Sequence, residues 1–571
     1  MPVTEDVLLA ETLGAVSGEK LCAHVEGLAR WTKHAGTPEE LESLSYVRGE
    51  LDSFGYRTEL IRHDAYISLP GPARVEALGR TLRCNTHSFS RPSTDGGLTA
   101  EVVYAGSGEG GGDVRGKIML VDGIANPAST VVARERGAAG EIHISPHEHL
   151  HEMCISPVWG SPGDEDLDRL PSTVVVTVPF GDGEELKAAC AAGFVTATIH
   201  AEVDTGWRET PILVAELGSD RGGADEPFVF FTGHHDTWHL GVMDNGGANA
   251  TMLEVARLCA LHRGAWRRGL RVVFWSGHSQ GRYSGSTWYA DTHWEELEAR
   301  ALVHVNVDST GGLGNTIVAD TAAAAELHGL AREVLEAEAG QEFSGRRMSR
   351  AGDQSFWGIG VPSIYGNMSE QPATPGEPNA SAAVFGGGDR KGAGTGWWWH
   401  TPDDTIDKMD REILVRDTRI YQHTVWRLLT SERLPLDFAA AARELADALD
   451  ARQREAGGAL DLSLCLARAR EIEHRATAYA AQSVEADAYN RTLQELAHAI
   501  VPLAYTLGDP FRHDPALSQP PLPALAEVGR LAGLAPGSDE HRFLACHLHR
   551  ETNRVAWELR RALAILEAAG A

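Results

Sequence analysis

The sequence lacks the long apolar runs of a membrane protein and the dense basic stretches of a nucleic-acid-binding protein. No stretch reaches the roughly 18 uninterrupted apolar residues that a membrane-spanning helix needs. The chain has 80 acidic against 51 basic side chains and a formal net charge of −29 at pH 7, which disfavours a polyphosphate partner. We therefore expect neither nucleic acid nor a membrane as a partner.

Cysteine is also scarce in this chain. The seven cysteines are odd in number and none has the CxxC spacing of a metal site, which favours reduced thiols over a disulfide framework. The N-terminal stretch MPVTEDVLLAETLG has an acidic start and no sustained apolar core, unlike a signal peptide. These features predict a cytoplasmic protein.

The overall composition is that of an ordinary folded protein. Apolar residues make up 43% of the chain and charged residues 23%, close to the average for soluble globular proteins. The 571 residues exceed the length, about 250–300 residues, at which a single hydrophobic core stops growing. We therefore expect two or three compact domains.

The hydrophobic pattern divides the chain into three parts. Residues 1–60 and 211–430 predict a mainly parallel, mixed α/β sheet flanked by helices, because apolar strands such as PFVFFTG and LRVVFWSG alternate with helical stretches. Residues 61–210 contain short β runs separated by a glycine-rich turn, which predicts a β-rich insert. Residues 431–571 are rich in Ala, Leu, Glu and Arg at helical spacing, which predicts an antiparallel helical bundle.

Acidic and imidazole side chains follow the predicted strands of the α/β region. His234 and Asp236 form an H-x-D pair at the end of the first strand, and Asp244 lies on the turn before the next helix. Asp308 follows a further strand, and His400 lies in a loop before the last helix. Because ligands bind beyond the carboxyl ends of parallel strands, and imidazole and carboxylate suit zinc, we expect a metal site here. Asp236 is suited to hold a ligating histidine in the correct tautomer.

The order and context of these residues resemble the zinc exopeptidase family, which includes bacterial aminopeptidases, glutamate carboxypeptidase II and the catalytically inactive transferrin receptor. The segments that carry the resemblance are GHHDTWHLGVMDNGGANA, FWSGHSQGRYSGSTWYA, NVDST, GDQSFWGIGVPSI and HTPDDT. The resemblance implies that His234 and Asp308 hold one metal ion, that Asp244 bridges two ions, and that His400 holds the second.

The resemblance extends to the other two parts of the chain. It implies a protease-associated domain in residues 61–210 and a homodimer formed through residues 431–571. It also implies one or two zinc ions, although imidazole and carboxylate ligands accept manganese and iron as well.

The chain departs from this family at the position of the general base. Active relatives carry two adjacent glutamates there, one as the base and the other as a metal ligand, whereas this chain reads WSGHSQG. Aligned on Trp275 and Gly281, His278 takes the base position and Ser279 the ligand position. We propose His278 as the proton carrier, because histidine exchanges protons near neutral pH. Two other interpretations stay open: His278 ligates the second metal ion, or the site is degenerate.

Further residues are candidates for contacts with a substrate. Arg282 and Tyr283 follow in an inserted turn, where Arg282 is suited to bind a substrate carboxylate; the alternative is a solvent-facing turn. Arg512 and His513 lie in a proline-rich loop, where the carboxypeptidase relatives bring a substrate-binding loop towards the metal ions. This second assignment rests on position alone. Asp353 lies where relatives place a polar residue near the site.

These expectations together predict metal-dependent hydrolysis of a peptide or amide bond in a small substrate. One alternative is a noncatalytic binding or scaffold protein on the same fold. Another is a metal-assisted lyase or cyclase, because glutaminyl cyclases share this general fold. The sequence does not identify the substrate.

Overall fold

The computed structural model describes residues 5–223, 225–373 and 390–571. Within these residues, twelve strands form one continuous sheet. The strands are β1 (Arg57–Ala77), β2 (Arg80–Leu82), β3 (Asn85–Thr86), β4 (Leu98–Tyr104), β5 (Ile118–Asp122), β6 (Gly140–Ile144), β7 (Val174–Val178), β8 (Thr196–Leu217), β9 (Phe228–His234), β10 (Gly269–Trp275), β11 (Ala301–Val307) and β12 (Ser363–Ile364).

The strand order confirms the predicted mixed sheet. The strands run in the order β12-β11-β9-β10-β8-β4-β5-β6-β7-β3, and β1 pairs with β2 and β8 outside this path. The pairs β12–β11, β11–β9 and β9–β10 are parallel, whereas β10 and β8 are antiparallel. Strands β9, β10 and β11 are buried throughout, which fits their continuous apolar sequences because parallel sheets are covered on both faces.

Helices cover both faces of this part of the sheet. Val229 and Phe231 on β9 face one side and Phe228 and Phe230 the other, because successive side chains of a strand alternate. The helices up to this point of the fold are α1 (Glu5–Gly14), α2 (Gly18–Leu28), α3 (Pro38–Ser53), α4 (Pro127–Arg136), α5 (Phe180–Ala192), α6 (Ala248–Leu261), α7 (Ser284–Thr292), α8 (Trp294–Arg300), α9 (His328–Ala339) and α10 (Arg411–Thr430). Helices α6 and α10 pack on the first side, and α7 and α8 on the second.

Two long strands join the central sheet to the predicted insert. β1 and β8 are 21 and 22 residues long and pair from Arg57 opposite Glu216 to Glu76 opposite Thr198. One end of β8 also pairs with β10 and the other with β4. The predicted boundaries at 60/61 and 210/211 therefore lie inside continuous strands, and the division into domains stays a prediction.

The C-terminal part is helical, as the sequence predicts. Its helices are α11 (Phe438–Ala456), α12 (Ser463–Ala480), α13 (Ala486–Tyr505), α14 (Val528–Gly533) and α15 (Asp539–Ala568). The bundle packs on the sheet region through apolar and charged contacts. The rings of Trp357 and Tyr505 are 4.5 Å apart, and Arg347 Nε lies 3.1 Å from Glu444 Oε1.

Two predictions from composition can be compared with the described residues. All seven cysteines lie in the described part of the chain and none forms a disulfide there. That the thiols are reduced stays a prediction. None of the described helices combines the length and the apolar content that crossing a bilayer requires.

Candidate metal centre

Three neighbouring parallel strands bring the central site residues to one edge of the sheet. β9 ends at His234, β11 is followed by Asp308, and β10 is followed by the turn that carries His278. In the strand register, Trp275 lies opposite His234 and Val307 opposite Gly233, so the three strands end at the same level. One ligand atom from each of His234, His278 and Asp308 lies within 4.8 Å of the other two.

The side chain of His234 is held in a tautomer that suits a metal ligand. Its Nδ1 lies 2.8 Å from the backbone carbonyl of Asp236, and since a carbonyl only accepts, Nδ1 carries the proton. Nε2 lies 3.1 Å from Asp244 Oδ1 and 3.7 Å from Asp308 Oδ1. This buried atom has no hydrogen-bond partner within the described residues. A lone pair that faces two carboxylates fits a cation between them.

The same arrangement recurs at His400. Its Nδ1 donates to the backbone carbonyl of Glu152 at 2.7 Å, and its Nε2 lies 3.1 Å from Asp244 Oδ2. Asp244, on the turn Val242–Gly247, thus directs one oxygen towards His234 and the other towards His400. The family resemblance implies a bridging role for Asp244, and that role stays a prediction.

Electrostatics at Asp244 and His234 reflect this mutual contact. Burial alone would raise the pKa of Asp244, but its contacts with His234 and His400 lower the pKa well below its usual value. Burial alone would lower the pKa of His234, but its contacts with Asp244 and Asp308 raise it well above its usual value. Buried carboxylates and imidazoles of this kind require either a proton or a metal ion to balance their charge.

The predicted insert contributes directly to the position of His400. Glu152 donates its backbone N–H to the carbonyl of His400 at 2.9 Å, besides accepting from the imidazole. His151 Nδ1 donates to the carbonyl of Trp399 at 2.5 Å, and the Trp399 ring stacks on His400 at 3.6 Å. The sequence did not indicate that His151 and Glu152 support His400, because these contacts join residues 248 positions apart.

Asp236 supports the site in a way that its sequence position does not reveal. Its backbone carbonyl, rather than its carboxylate, accepts from His234; Oδ1 lies 3.8 Å from Nδ1 of that ring. The carboxylate instead accepts from the backbone N–H groups of His278 and Ser279 at 3.1 and 2.8 Å. Asp236 therefore anchors the turn that carries His278.

The side chain of His278 is paired with a buried carboxylate. Its Nδ1 lies 2.9 Å from Asp353 Oδ2, and Asp353 is only 1% exposed. Burial would raise the pKa of Asp353, but its contact with His278 lowers it. The His278 ring stacks on His234, with centroids 3.7 Å apart and planes inclined by 13°. With Nδ1 donating to Asp353, Nε2 of His278 is free to accept a proton or bind a metal ion.

A second layer of buried groups holds the turn that bears Asp244. The Asp404 carboxylate accepts from the backbone N–H groups of Met243 and Asp244 at 2.9 and 3.1 Å, and burial raises the pKa of Asp404 to about 7. The buried ammonium of Lys33 donates to the carbonyl of Leu240 at 3.2 Å, and burial lowers the pKa of Lys33 to about 8. Sequence analysis missed both roles; the only available signal was the position of Asp404 in the HTPDDT segment.

Arg282 and Tyr283 lie beside the cluster of candidate metal ligands His234, His278 and Asp308. The Arg282 guanidinium donates to the carbonyl of Cys154 and lies 3.3 Å from the Tyr283 hydroxyl, so this turn does not simply face solvent. The Tyr283 ring is edge-on to His278 at 4.8 Å and packs against Trp159 at 4.3 Å. A substrate-binding role for Arg282 and Tyr283 stays a prediction.

Arg512 and His513 lie in a neighbouring cleft of about 710 Å³ rather than among the metal ligands. Arg512 Nη1 is 3.3 Å from Glu165 Oε1, and His513 Nε2 is 2.8 Å from Asp291 Oδ1. Trp159, which packs against Tyr283, also lines this cleft. The cleft with Arg512 and His513 is thus connected to the metal centre through the contact of Trp159 with Tyr283. A contact of Arg512 and His513 with a substrate stays a prediction.

Comparison with known proteins identifies relatives of the region that contains this site. Residues 213–425 match the model of Peptidase family M28. The maize protein "Probable glutamate carboxypeptidase VP8" is 22% identical over 383 residues, which cover 54% of this chain and 52% of the relative. Aminopeptidase YwaD of Bacillus subtilis (strain 168) is 24% identical over 408 residues, which cover 70% of this chain and 82% of the relative. The chain thus spans about half the length of the maize relative.

Solved structures show a similar fold. An aminopeptidase from Aneurinibacillus sp. strain AM-1 is 21% identical with a TM-score of 0.54, covering 74% of this chain and 96% of its own. A peptidase M28 precursor from Shewanella amazonensis SB2B is 19% identical with a TM-score of 0.57, covering 75% and 97%. These findings confirm the fold class, and with the family match they confirm the resemblance stated from the sequence motifs.

Proposed function

Because residues 213–425 match Peptidase family M28, we propose that the chain is a metal-dependent hydrolase of a peptide or amide bond in a small substrate. One observation carries this proposal. His234, His400 and His278 each hold Nδ1 against an oxygen acceptor, which leaves each Nε2 available. Nε2 of His234 lies beside Asp244 and Asp308, Nε2 of His400 lies beside Asp244, and a ligand atom of His278 lies within 4.8 Å of those of His234 and Asp308. Orienting hydrogen bonds of this kind are the usual support of metal-binding histidines.

The proposed metal ligands are His234, Asp244, Asp308 and His400. Their imidazole nitrogens and carboxylate oxygens fit zinc, and the same donor set also accepts manganese or iron. At the proposed site of the second metal ion, Asp244 and His400 supply ligand atoms among the described residues. Ser279 stands where relatives carry a glutamate as a further ligand. One or two ions are therefore compatible with this donor set. A bound divalent ion supplies Lewis-acid activation of the carbonyl group and of water.

We propose that His278 carries the proton in place of the missing glutamate. Asp353 accepts from Nδ1 and so holds the ring with Nε2 free, while Asp236 holds the backbone of the same turn. Proton transfer by a positioned histidine typically contributes about 10²–10⁴-fold to a reaction rate. The same geometry also suits a metal ligand, and the two roles predict different effects of replacing His278.

The remaining assignments also stand as proposals. Arg282 and Tyr283 would contact the substrate at the metal centre, and Arg512 and His513 would contact it from the adjoining cleft. Residues 61–210 would be a protease-associated domain, residues 431–571 would form a homodimer, and the protein would be cytoplasmic. The antiparallel pairing of β1 with β8 and the contacts of Glu152 with His400 support a structural connection between the insert and the site.

The test of this function is the metal content of the purified protein after dialysis against metal-free buffer. The wild type should retain near-stoichiometric metal, and His234→Ala and His400→Ala should each lower it. His474→Ala, which removes an exposed imidazole on α12, is the matched control and should retain the wild-type content. A wild type that stays free of metal after reconstitution with zinc, manganese or iron would contradict the proposal and favour a noncatalytic scaffold. Aminoacyl and peptidyl amides are the substrates to screen with the metal-loaded protein.

A further inference from the structure

A small cavity of about 70 Å³ adjoins the cluster of candidate metal ligands at Asp308. Asp308 forms part of its wall, so the cavity begins next to a proposed metal ligand. Asn306, two residues before Asp308 and on β11, and Asn367, which is bridged to Asp308 through the backbone, line it as well. The cavity and the metal cluster therefore share one side chain.

The two asparagines present polar atoms that lack partners. Asn306 Oδ1 and both Oδ1 and Nδ2 of Asn367 are buried and have no hydrogen-bond partner within the described residues. Buried polar atoms are almost always hydrogen-bonded, either to protein or to a bound molecule. Gln354 Oε1, from another residue of the lining, is a fourth such atom. Four of these atoms around one cavity indicate that it accommodates a polar group.

The charges in the wall of the cavity are already paired. Arg346 Nη1 lies 3.6 Å from Glu370 Oε1 and 3.1 Å from the carbonyl of Asp320, and Arg390 also contacts Glu370. The Tyr365 hydroxyl is 3.1 Å from Thr424 Oγ1. Among the residues that the structure describes, the wall therefore offers an ionised group neither an unpaired cation nor an unpaired anion beyond Asp308, and the unpartnered atoms are neutral amides.

We infer that this cavity is a specificity subsite for a neutral, polar side chain, with a carboxamide as its best occupant. The inference rests on the proposed function: the side chain belongs to the residue whose carbonyl group lies at the metal centre beside Asp308. A primary carboxamide has one donor group and one acceptor, which complement the amide of Asn367. The volume corresponds to about five water molecules, which matches the four heavy atoms of an asparagine side chain.

The same wall connects the subsite to His278. Arg346, Met348 and Gly352 line the cavity and belong to the segment that leads directly into Asp353. Asp353 in turn holds the His278 ring. A matching side chain in the cavity therefore packs against the segment that positions the proton carrier, and a good occupant should raise kcat as well as lower KM.

The first test is binding of amino-acid amides to the zinc-loaded full chain by isothermal titration calorimetry, which needs no turnover. L-Asparaginamide should bind at least about 10-fold more tightly than L-leucinamide or L-lysinamide, because an apolar occupant leaves buried amides unpaired. Asn367→Leu should remove this preference without changing the metal content. Asn553→Leu, on an exposed position of α15, is the control and should keep the preference.

The second variant, Asn367→Asp, keeps the shape of the asparagine side chain, so it should fold even if Asn367→Leu does not. It should shift the preference from L-asparaginamide towards L-lysinamide, because it adds an unpaired carboxylate. Equal affinities of the three amides for the wild type, or an unchanged preference in both Asn367 variants, would show a cavity that holds water only and would overturn the subsite. Failure of the proposed function is detected separately, as absence of retained metal.

Discussion

His278 Nδ1 and Asp353 Oδ2 lie 2.9 Å apart, although the two residues are 75 positions apart in the chain. The carboxylate is buried and the imidazole stacks on His234, so the pair fixes both the tautomer and the plane of the ring. A carboxylate that orients a histidine in this way is a common support of bases and of metal ligands. The pair gives His278 the position and the orientation that a substitute for glutamate requires.

Replacement of His278 should separate its two possible roles. His278→Ala should lower kcat at least about 100-fold, because a positioned base contributes roughly that factor. Metal content, measured by elemental analysis, should remain at the wild-type value. His239→Ala, which removes a nearby imidazole that is not a proposed ligand, is the control. Loss of one metal equivalent in His278→Ala would instead identify His278 as a ligand.

Replacement of Asp353 should affect catalysis through His278. Asp353→Asn should lower kcat about 10- to 100-fold, because the amide can present its N–H₂ group to Nδ1 and so favour the wrong tautomer. KM for a small amide substrate should change little, and Asp353→Glu should recover part of the activity. Steady-state kinetics check this, with a denaturation curve for each variant. A loss of stability without a change in kcat would show that Asp353 is only structural.

Removal of the buried cation Lys33 should destabilise the turn that carries Asp244. The Lys33 ammonium donates to the carbonyls of Leu28, Trp31 and Leu240 at 3.1–3.3 Å. Lys33→Met leaves buried carbonyls unpaired, so the free energy of unfolding should fall by roughly 3 kcal/mol. Urea denaturation measures this change, and the exposed substitution Lys20→Met on α2 is the control. An unchanged unfolding free energy would contradict the structural role of Lys33.

Acidification should destabilise the fold through the buried His304. This residue lies between Thr232 and Ser363 in the core, and burial lowers its pKa to about 4. Because the unfolded chain binds a proton at a pKa near 6.5, this contribution to stability is complete above pH 6.5 and is lost as the pH falls towards 4. The loss should be roughly 3 kcal/mol.

Denaturant unfolding curves between pH 4 and 7 test this dependence. His304→Gln should flatten the decline of stability in this range, because no imidazole has to be protonated on unfolding. His474→Gln on the exposed face of α12 is the matched control for loss of one imidazole. An equal slope for the wild type and His304→Gln would contradict the role of His304.

The sequence by itself determined which segments become strands and which functional residues lie at the ends of those strands. His234 and Asp308 end or follow continuous apolar runs, and parallel strands necessarily bring their carboxyl ends to one edge. The family resemblance, carried in part by the motif around Asp244 and the segment with His400, added these two residues to the predicted metal ligands. These features could be predicted because each depends on a short stretch of sequence.

Only the tertiary structure decided which groups support those side chains. Glu152 reaches His400 from the insert, Asp353 reaches His278 from another loop, and Asn367 closes the cavity beside Asp308. These partners are far apart along the chain, and their contacts depend on how loops from different strands pack together. Periodicity and motif spacing report local backbone structure and burial, whereas a hydrogen bond between distant loops exists only once the whole sheet and its layers are in place.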